Sequence, residues 1–276
     1  MQQTSISNPI GIFDSGVGGL SVLRAIHRQL PHESIIYLAD QANVPYGSRS
    51  LEQVRQFSER ITRFLLKQNA KIIVVACNTA SAAALIYLRQ VFPNVSFVGM
   101  EPAVKPAAES SQSGVVGVLA TPATFQGALY ASVIERFAQG VTVLQHTCPG
   151  LVTQIEAGHL DTEETRAILL DALQPMIAQG IDTIVLGCTH YPFVIPIIQE
   201  IVGPKVNVID PAPAVARQVE RVLTANNLLQ KNSQTGLVQY ITTADPQIMK
   251  ALLPMLIGET ADVACVSWNS DNELTW

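Results

Sequence analysis

Short apolar runs rich in β-branched residues recur along this chain, and most close on a small or polar residue. Ile10-Gly11-Ile12-Phe13, Ser34–Ala39, Ile72–Ala76 and Val95–Gly99 are the first four. Continuous runs of this length, without polar alternation, predict strands buried on both faces, the habit of parallel sheets flanked by helices. Between them the apolar period lengthens. A helix is predicted from Leu20 to Leu30, where Pro31 stops it. Ser50-Leu51-Glu52-Gln53 has the form of a capping box, and Leu51, Val54, Phe57, Ile61, Phe64 and Leu65 follow at helical spacing. Another helix is expected over Ala80–Gln90, and Glu101-Pro102-Ala103-Val104-Lys105-Pro106 reads as a break.

Beyond that break the order begins again. Strands are predicted at Gly114–Leu119, Val141–Gln145, Thr183–Leu186 and Val206–Ile209, with helices reaching to about Phe137 and over Glu163–Gln179. Gly11 and Gly117, and likewise Cys77 and Cys188, stand at nearly the same offset, which points to an internal duplication. The expected fold is α/β: two pseudo-symmetric doubly wound parallel-sheet domains with a cleft between them. After Asp210 come a helix to about Ala225, strand material at Leu237–Thr242 and Val263–Trp268, and a helix at Gln247–Leu256. Those last strands need a sheet to join. Residues 1–99 plus 210–276 are therefore expected to form the first domain and 100–209 the second.

Composition narrows the class. The 276 residues are 48% apolar and only 14% charged, so the chain is globular, with ample core for two domains. A net charge of -5 argues against nucleic acid or an anionic membrane as the main partner. No secretory signal is read at Met1–Pro9, and no apolar run approaches the ~18–20 residues of a membrane span. Cys77, Cys148, Cys188 and Cys265 form no CxxC pair, so neither a zinc ribbon nor a thioredoxin motif is present. A reducing, cytoplasmic compartment is the expectation.

Two cysteine stretches carry the chemistry. Ile72–Ala80 and Ile184–Pro192 each run from an apolar strand through a small residue to a cysteine and then to hydrogen-bonding side chains. A cysteine in that place lies where open α/β sheets bind ligands. It also lies near a helix start, which is expected to lower the thiol's pKa. One thiol on each wall of a cleft suits proton removal from one face of a carbon and return on the other, that is, racemisation or epimerisation. Asp14 and His190 stand near strand ends as proton relays, and Ser15, Asn78, Thr79, Thr121 and Thr189 are small donors for carboxylates. No lysine sits in a Schiff-base context, so pyridoxal phosphate is not called for. The turn Asp14-Ser15-Gly16-Val17-Gly18-Gly19 and the acid Asp40 raise a dinucleotide site, but the glycine spacing is G-x-G-G rather than G-x-G-x-x-G.

Asp14-Ser15-Gly16, Pro45-Tyr46-Gly47, Ala76-Cys77-Asn78-Thr79 and Gly187-Cys188-Thr189-His190-Tyr191-Pro192 resemble the motifs of the glutamate racemases, in the cofactor-independent aspartate/glutamate racemase superfamily. The resemblance spans roughly Ile10 to Asp210 in the same order; beyond Asp210 no motif is matched. It implies that Cys77 abstracts the α-proton of D-glutamate and Cys188 that of L-glutamate. It also implies that Asp14 assists Cys77, that His190 assists Cys188, and that Glu156 orients His190. Asp14, Ser15, Pro45, Tyr46, Gly47, Asn78, Thr79, Thr121 and Thr189 would hold the substrate. By the same resemblance there is no cofactor and no metal, the D-glutamate feeds peptidoglycan synthesis, and the enzyme is a cytoplasmic homodimer.

Other readings stay open on sequence. Aspartate or hydantoin racemisation would use the same pair, and a decarboxylase would need only one thiol. A two-lobed binding protein would hold the ligand without exchanging its α-hydrogen. A cysteine hydrolase would leave the second thiol idle. Cys148 and Cys265 are read as packing residues, and His27, His32, His146 and His159 as surface or structural.

Overall fold

The computed structural model describes residues 5–276 apart from 102, 232 and 272, so Pro102 of the expected break lies outside the described residues. The first run of elements is β1 (Ile10–Asp14), α1 (Leu20–Gln29), β2 (Ile35–Ala39), α2 (Leu51–Lys67), β3 (Ile72–Val75), α3 (Asn78–Val91) and β4 (Phe97–Gly99). The second is α4 (Val104–Ser110), β5 (Val115–Ala120), α5 (Pro122–Gln126), α6 (Ala128–Phe137), β6 (Thr142–His146), α7 (Leu151–Glu156), α8 (Glu163–Ala178), β7 (Thr183–Gly187), α9 (Ile195–Val202) and β8 (Asn207–Ile209). The chain ends with α10 (Ala212–Ala225), β9 (Val238–Thr242), α11 (Pro246–Ile257), β10 (Val263–Cys265), β11 (Ser267–Trp268) and β12 (Leu274–Thr275).

Among the described residues the first sheet has the order β10-β9-β2-β1-β3-β4 and the second β6-β5-β7-β8. Every pairing in both sheets is parallel. The central strands are buried at every position, which is why their sequences run apolar without alternation. The core order β2-β1-β3-β4 repeats as β6-β5-β7-β8, so the two sheets share one topology in two domains. The C-terminal segment enters the first sheet, where β9 pairs with β2 and β10 with β9. One apolar cluster runs from β1, β2 and β3 through α1 and α10 into α7, α8 and β7, and joins the two domains. Among the described residues no helix is long and apolar enough to cross a membrane.

Several expected elements differ in detail. Residues 104–110 are helical rather than a break. Pro106 is the third residue of that helix, where its missing N–H is one that no intrahelical carbonyl would have met. The helix expected up to Phe137 is two, parted at the extended Gly127, where a Cβ would lie 2.6 Å from Ala82 Cβ. The strand expected over Val263–Trp268 divides into β10 and β11, and β11 pairs antiparallel with β12 as a separate ribbon. The capping box at Ser50 forms, with Gln53 N–H donating to Ser50 Oγ and Ser50 N–H to Gln53 Oε1.

Candidate active site

In each sheet the chain moves to one side from the first strand and to the other side after the second. Loops then leave in opposite directions and open a crevice at the carboxyl ends of the strands. Asp14 ends β1 and Cys77 follows β3; Thr121 follows β5 and Cys188 follows β7. The crevices of the two domains meet in one narrow cavity. Its walls are Ser15, Pro45, Tyr46, Gly47, Cys77, Asn78, Thr79, Thr121, Val152, Cys188, Thr189 and His190. All but one of these are singled out by the sequence. Val152, on α7, is not: an apolar residue in a short polar helix carries no signal of a ligand.

On the first wall Cys77 is the N-cap of α3, and Ala80 N–H donates to its Sγ at 3.4 Å. Asp14 lies behind it, wholly buried. Its Oδ2 accepts from Gly19 N–H at 2.7 Å, and Oδ1 has no hydrogen-bond partner among the described residues. Burial raises the Asp14 pKa, against the opposing pull of the His190 charge and the Gly19 N–H. Burial and then the Asp14 charge push the Cys77 thiol well above the ordinary cysteine range. The expectation of a lowered thiol pKa is thus corrected for Cys77. The helix-start N–H does favour the thiolate, but desolvation in a closed cleft outweighs it.

The second wall is built differently. After Cys188 come Thr189 and His190, and a short 3₁₀ turn, Tyr191–Val194, replaces an immediate α-helix. His190 Nδ1 lies 3.8 Å from Cys188 Sγ, and Nε2 lies 2.6 Å from Glu156 Oε1. Burial pushes the imidazole pKa down, but the contacts with Cys188 and Glu156 outweigh it and hold the ring well above the ordinary histidine range. Burial likewise raises Glu156, and His190, Val17 N–H and Gln41 outweigh it, so the carboxyl stays below its usual range.

Glu156 also ties the domains together. Its Oε1 accepts from Val17 N–H at 2.7 Å and its Oε2 from Gln41 Nε2 at 3.1 Å, both across the cleft. Here the unusual glycine turn finds its cause. A Cβ on Gly16 would fall 1.8 Å from Glu156 Oε1, and one on Gly18 would fall 2.3 Å from His190 Nδ1. Gly16 and Gly18 thus admit side chains of the other domain rather than a pyrophosphate, while Gly19 makes room for Asp14 and Tyr37 of its own domain.

The donors converge on the same space. Thr79 and Thr121 hydroxyls meet across the domains at 2.8 Å, and Thr121 is held by Thr124 at 2.9 Å. Both polar atoms of the Asn78 side chain are buried without a partner among the described residues. A native protein seldom leaves an amide in that state unless a ligand completes it. Tyr46 OH does not serve the cavity, since it donates to Asp40 Oδ2 at 2.6 Å. Cys148 is buried and its thiol is pushed up to about 12 by burial, while Cys265 is exposed on the edge strand β10. Among the described residues no three His, Cys, Asp or Glu side chains converge as metal ligands.

The model of the Asp/Glu/hydantoin racemase family matches residues 10–219. The chain belongs to that family. Among its relatives, a protein of Pseudomonas aeruginosa named glutamate racemase is 52% identical over 257 residues, covering 93% of this chain and 97% of that one. The solved glutamate racemase of Bacillus anthracis superposes with a TM-score of 0.86 at 34% identity, over 94% of this chain and 97% of that one. A glutamate racemase of Francisella tularensis, solved in complex with D-glutamate, gives 0.82 at 30% identity, over 95% and 98%. The two-domain α/β architecture is therefore that of the racemase family, and the likeness extends past the residues that the family model matches.

Proposed function

We propose that this protein is a glutamate racemase that interconverts L- and D-glutamate by two-base proton transfer, without a cofactor. The observation that carries the reading is the pair of buried thiols on opposite walls of one cavity, each with its own polar partner. Cys188 removes the α-proton of L-glutamate, and the Cys77 thiol returns a proton to the opposite face. The reverse passage begins at Cys77 with D-glutamate. Asp14 relays the Cys77 proton. His190, positioned by Glu156, relays that of Cys188.

The α-hydrogen is a weak acid, so charge developing on the substrate carboxylate must be met by fixed donors. Ser15, Asn78, Thr79, Thr121 and Thr189, with the backbone of Pro45–Gly47, supply them, a contribution of roughly several kcal/mol in a water-excluding site. The Francisella tularensis relative with bound D-glutamate supports the choice of substrate. By the motif resemblance the enzyme is a cytoplasmic homodimer supplying D-glutamate for peptidoglycan, acting on the small amino acid and on neither nucleic acid nor membrane. Circular dichroism of L-glutamate incubated with the purified protein, with no cofactor added, tests the reading. Decay of the signal to that of the racemate is expected; a steady signal with glutamate but decay with aspartate would contradict the substrate.

A further inference from the structure

Asp40 closes β2 just ahead of the loop that carries Pro45, Tyr46 and Gly47, and the chemistry above does not use it. Its carboxylate is wholly buried and densely hydrogen-bonded. Oδ2 accepts from Tyr46 OH at 2.6 Å and Asn43 Nδ2 at 3.0 Å. Oδ1 accepts from Trp268 Nε1 and from Thr243 Oγ1, each at 2.8 Å. A buried carboxylate with this many charge-assisted bonds is a rigid anchor, and removal of one donor loosens what it holds.

Two of those donors come from far along the chain. Thr243 follows β9 and Trp268 lies on β11, both beyond the residues that the family model matches. Phe57 of α2 packs against Tyr46 on one side and Trp268 on the other, with ring centroids 5.6 and 5.7 Å apart. The Tyr46 hydroxyl is engaged by Asp40, so what the loop offers the cavity is its backbone and the ring of Tyr46. We propose that Asp40 is a positioning residue through which Trp268 and Thr243 hold the Pro45–Gly47 loop in its substrate-binding place. The C-terminal segment is then part of the glutamate site rather than a sheet extension alone. This rests on the reading of that loop as substrate-holding.

Trp268→Phe removes the indole N–H while keeping an aromatic ring, and Tyr46→Phe removes the hydroxyl at the other end of the link. For Trp268→Phe, loss of one such bond predicts amide hydrogen exchange about five- to tenfold faster over residues 46–49, without ligand. KM for both glutamate enantiomers rises by a similar factor, about five- to tenfold, while kcat changes by less than about twofold. The two substitutions are non-additive, because either one breaks the same chain. A structural role alone would lower the active fraction and leave KM in place. Unchanged exchange over 46–49 overturns the proposal, as does faster exchange with unchanged KM. If Trp268→Phe fails to fold, Thr243→Val makes the same test from the second donor. Wild-type protein inert toward both enantiomers would overturn the racemase reading instead, and hydrogen exchange then decides alone whether Trp268 holds the loop.

Discussion

The carboxyl of Asp14 is wholly buried, with one N–H on Oδ2 and, among the described residues, no hydrogen-bond partner on Oδ1. Its raised pKa means that the folded state binds this proton more tightly than the unfolded chain does. The resulting loss of stability is absent below the unfolded value of 3.8 and complete once the pH exceeds the folded one. Asp14→Asn is therefore expected to raise the melting temperature at pH 7, with the gain vanishing below pH 3.8. Turnover should fall by roughly 10²-fold or more, since a positioned proton relay is lost. A variant less stable at pH 7 than at pH 3 relative to wild type would contradict this. The cysteines admit a sharper test. Cys77→Ser and Cys188→Ser should each lose on the order of 10²–10⁴-fold in racemisation. Each should still exchange the α-hydrogen of the one enantiomer that meets the remaining thiol, read by NMR in deuterated water. Equal loss of exchange for both enantiomers in both variants would speak against assigned faces.

At the scale of elements, the turn between β1 and α1 is packed directly against Glu156 and His190 of the second domain. Gly18→Ala would press a methyl group against His190 Nδ1, and overpacking of this kind costs about 1–3 kcal/mol. Because the ring beside Cys188 must shift, turnover is expected to fall by at least about 10². Gly140→Ala is the control. Its φ of +78° strains an alanine, but among the described residues nothing lies within 4 Å of the added Cβ, so stability should fall by about 1 kcal/mol with turnover unchanged. Steady-state kinetics and thermal melts of the two variants check this; near-wild-type turnover of Gly18→Ala would contradict it. The same turn shows why sequence reading goes only so far. Apolar runs such as Ile72–Val75 and Thr183–Gly187 announce buried strands, and the residues just past them are the two thiols. Gly16 and Gly18, which make room for Glu156 and His190, owe their identity to contacts 140 and 172 positions away, which no local pattern carries. Val152, Gln41 and the Asp40–Trp268 link escape for the same reason, and Pro106 misleads because a breaker is harmless in a first helical turn.

Across the whole molecule, the N-terminal segment and the return from α10 to β9 are fastened at the amino ends of the first sheet's strands, away from the site. Lys71, just before β3, is buried with Glu33 at 2.6 Å. Its Nζ also donates to Ile6 O at 2.7 Å and Leu228 O at 2.9 Å, and Glu33 Oε1 accepts from Gln230 N–H at 2.7 Å. The cluster thus joins the N-terminal segment, the first sheet and the return from α10 to β9. Breaking one side of a buried pair leaves an uncompensated charge, so Lys71→Met is expected to cost about 3–5 kcal/mol in denaturant unfolding. KM should stay unchanged, since the cysteines lie at the opposite strand ends. A loss under about 1 kcal/mol would contradict the role.

The central claim is that two different groups serve the two faces of the α-carbon, and early-time isotope distribution reads it directly. L-glutamate is incubated in deuterated water, and the reaction is stopped after a few per cent conversion. Two bases predict that nearly every D-glutamate formed carries deuterium at the α-carbon while the remaining L-glutamate is still protiated. D-glutamate that retains the substrate's own protium, or deuterium appearing equally in both enantiomers from the start, would contradict the two-thiol account.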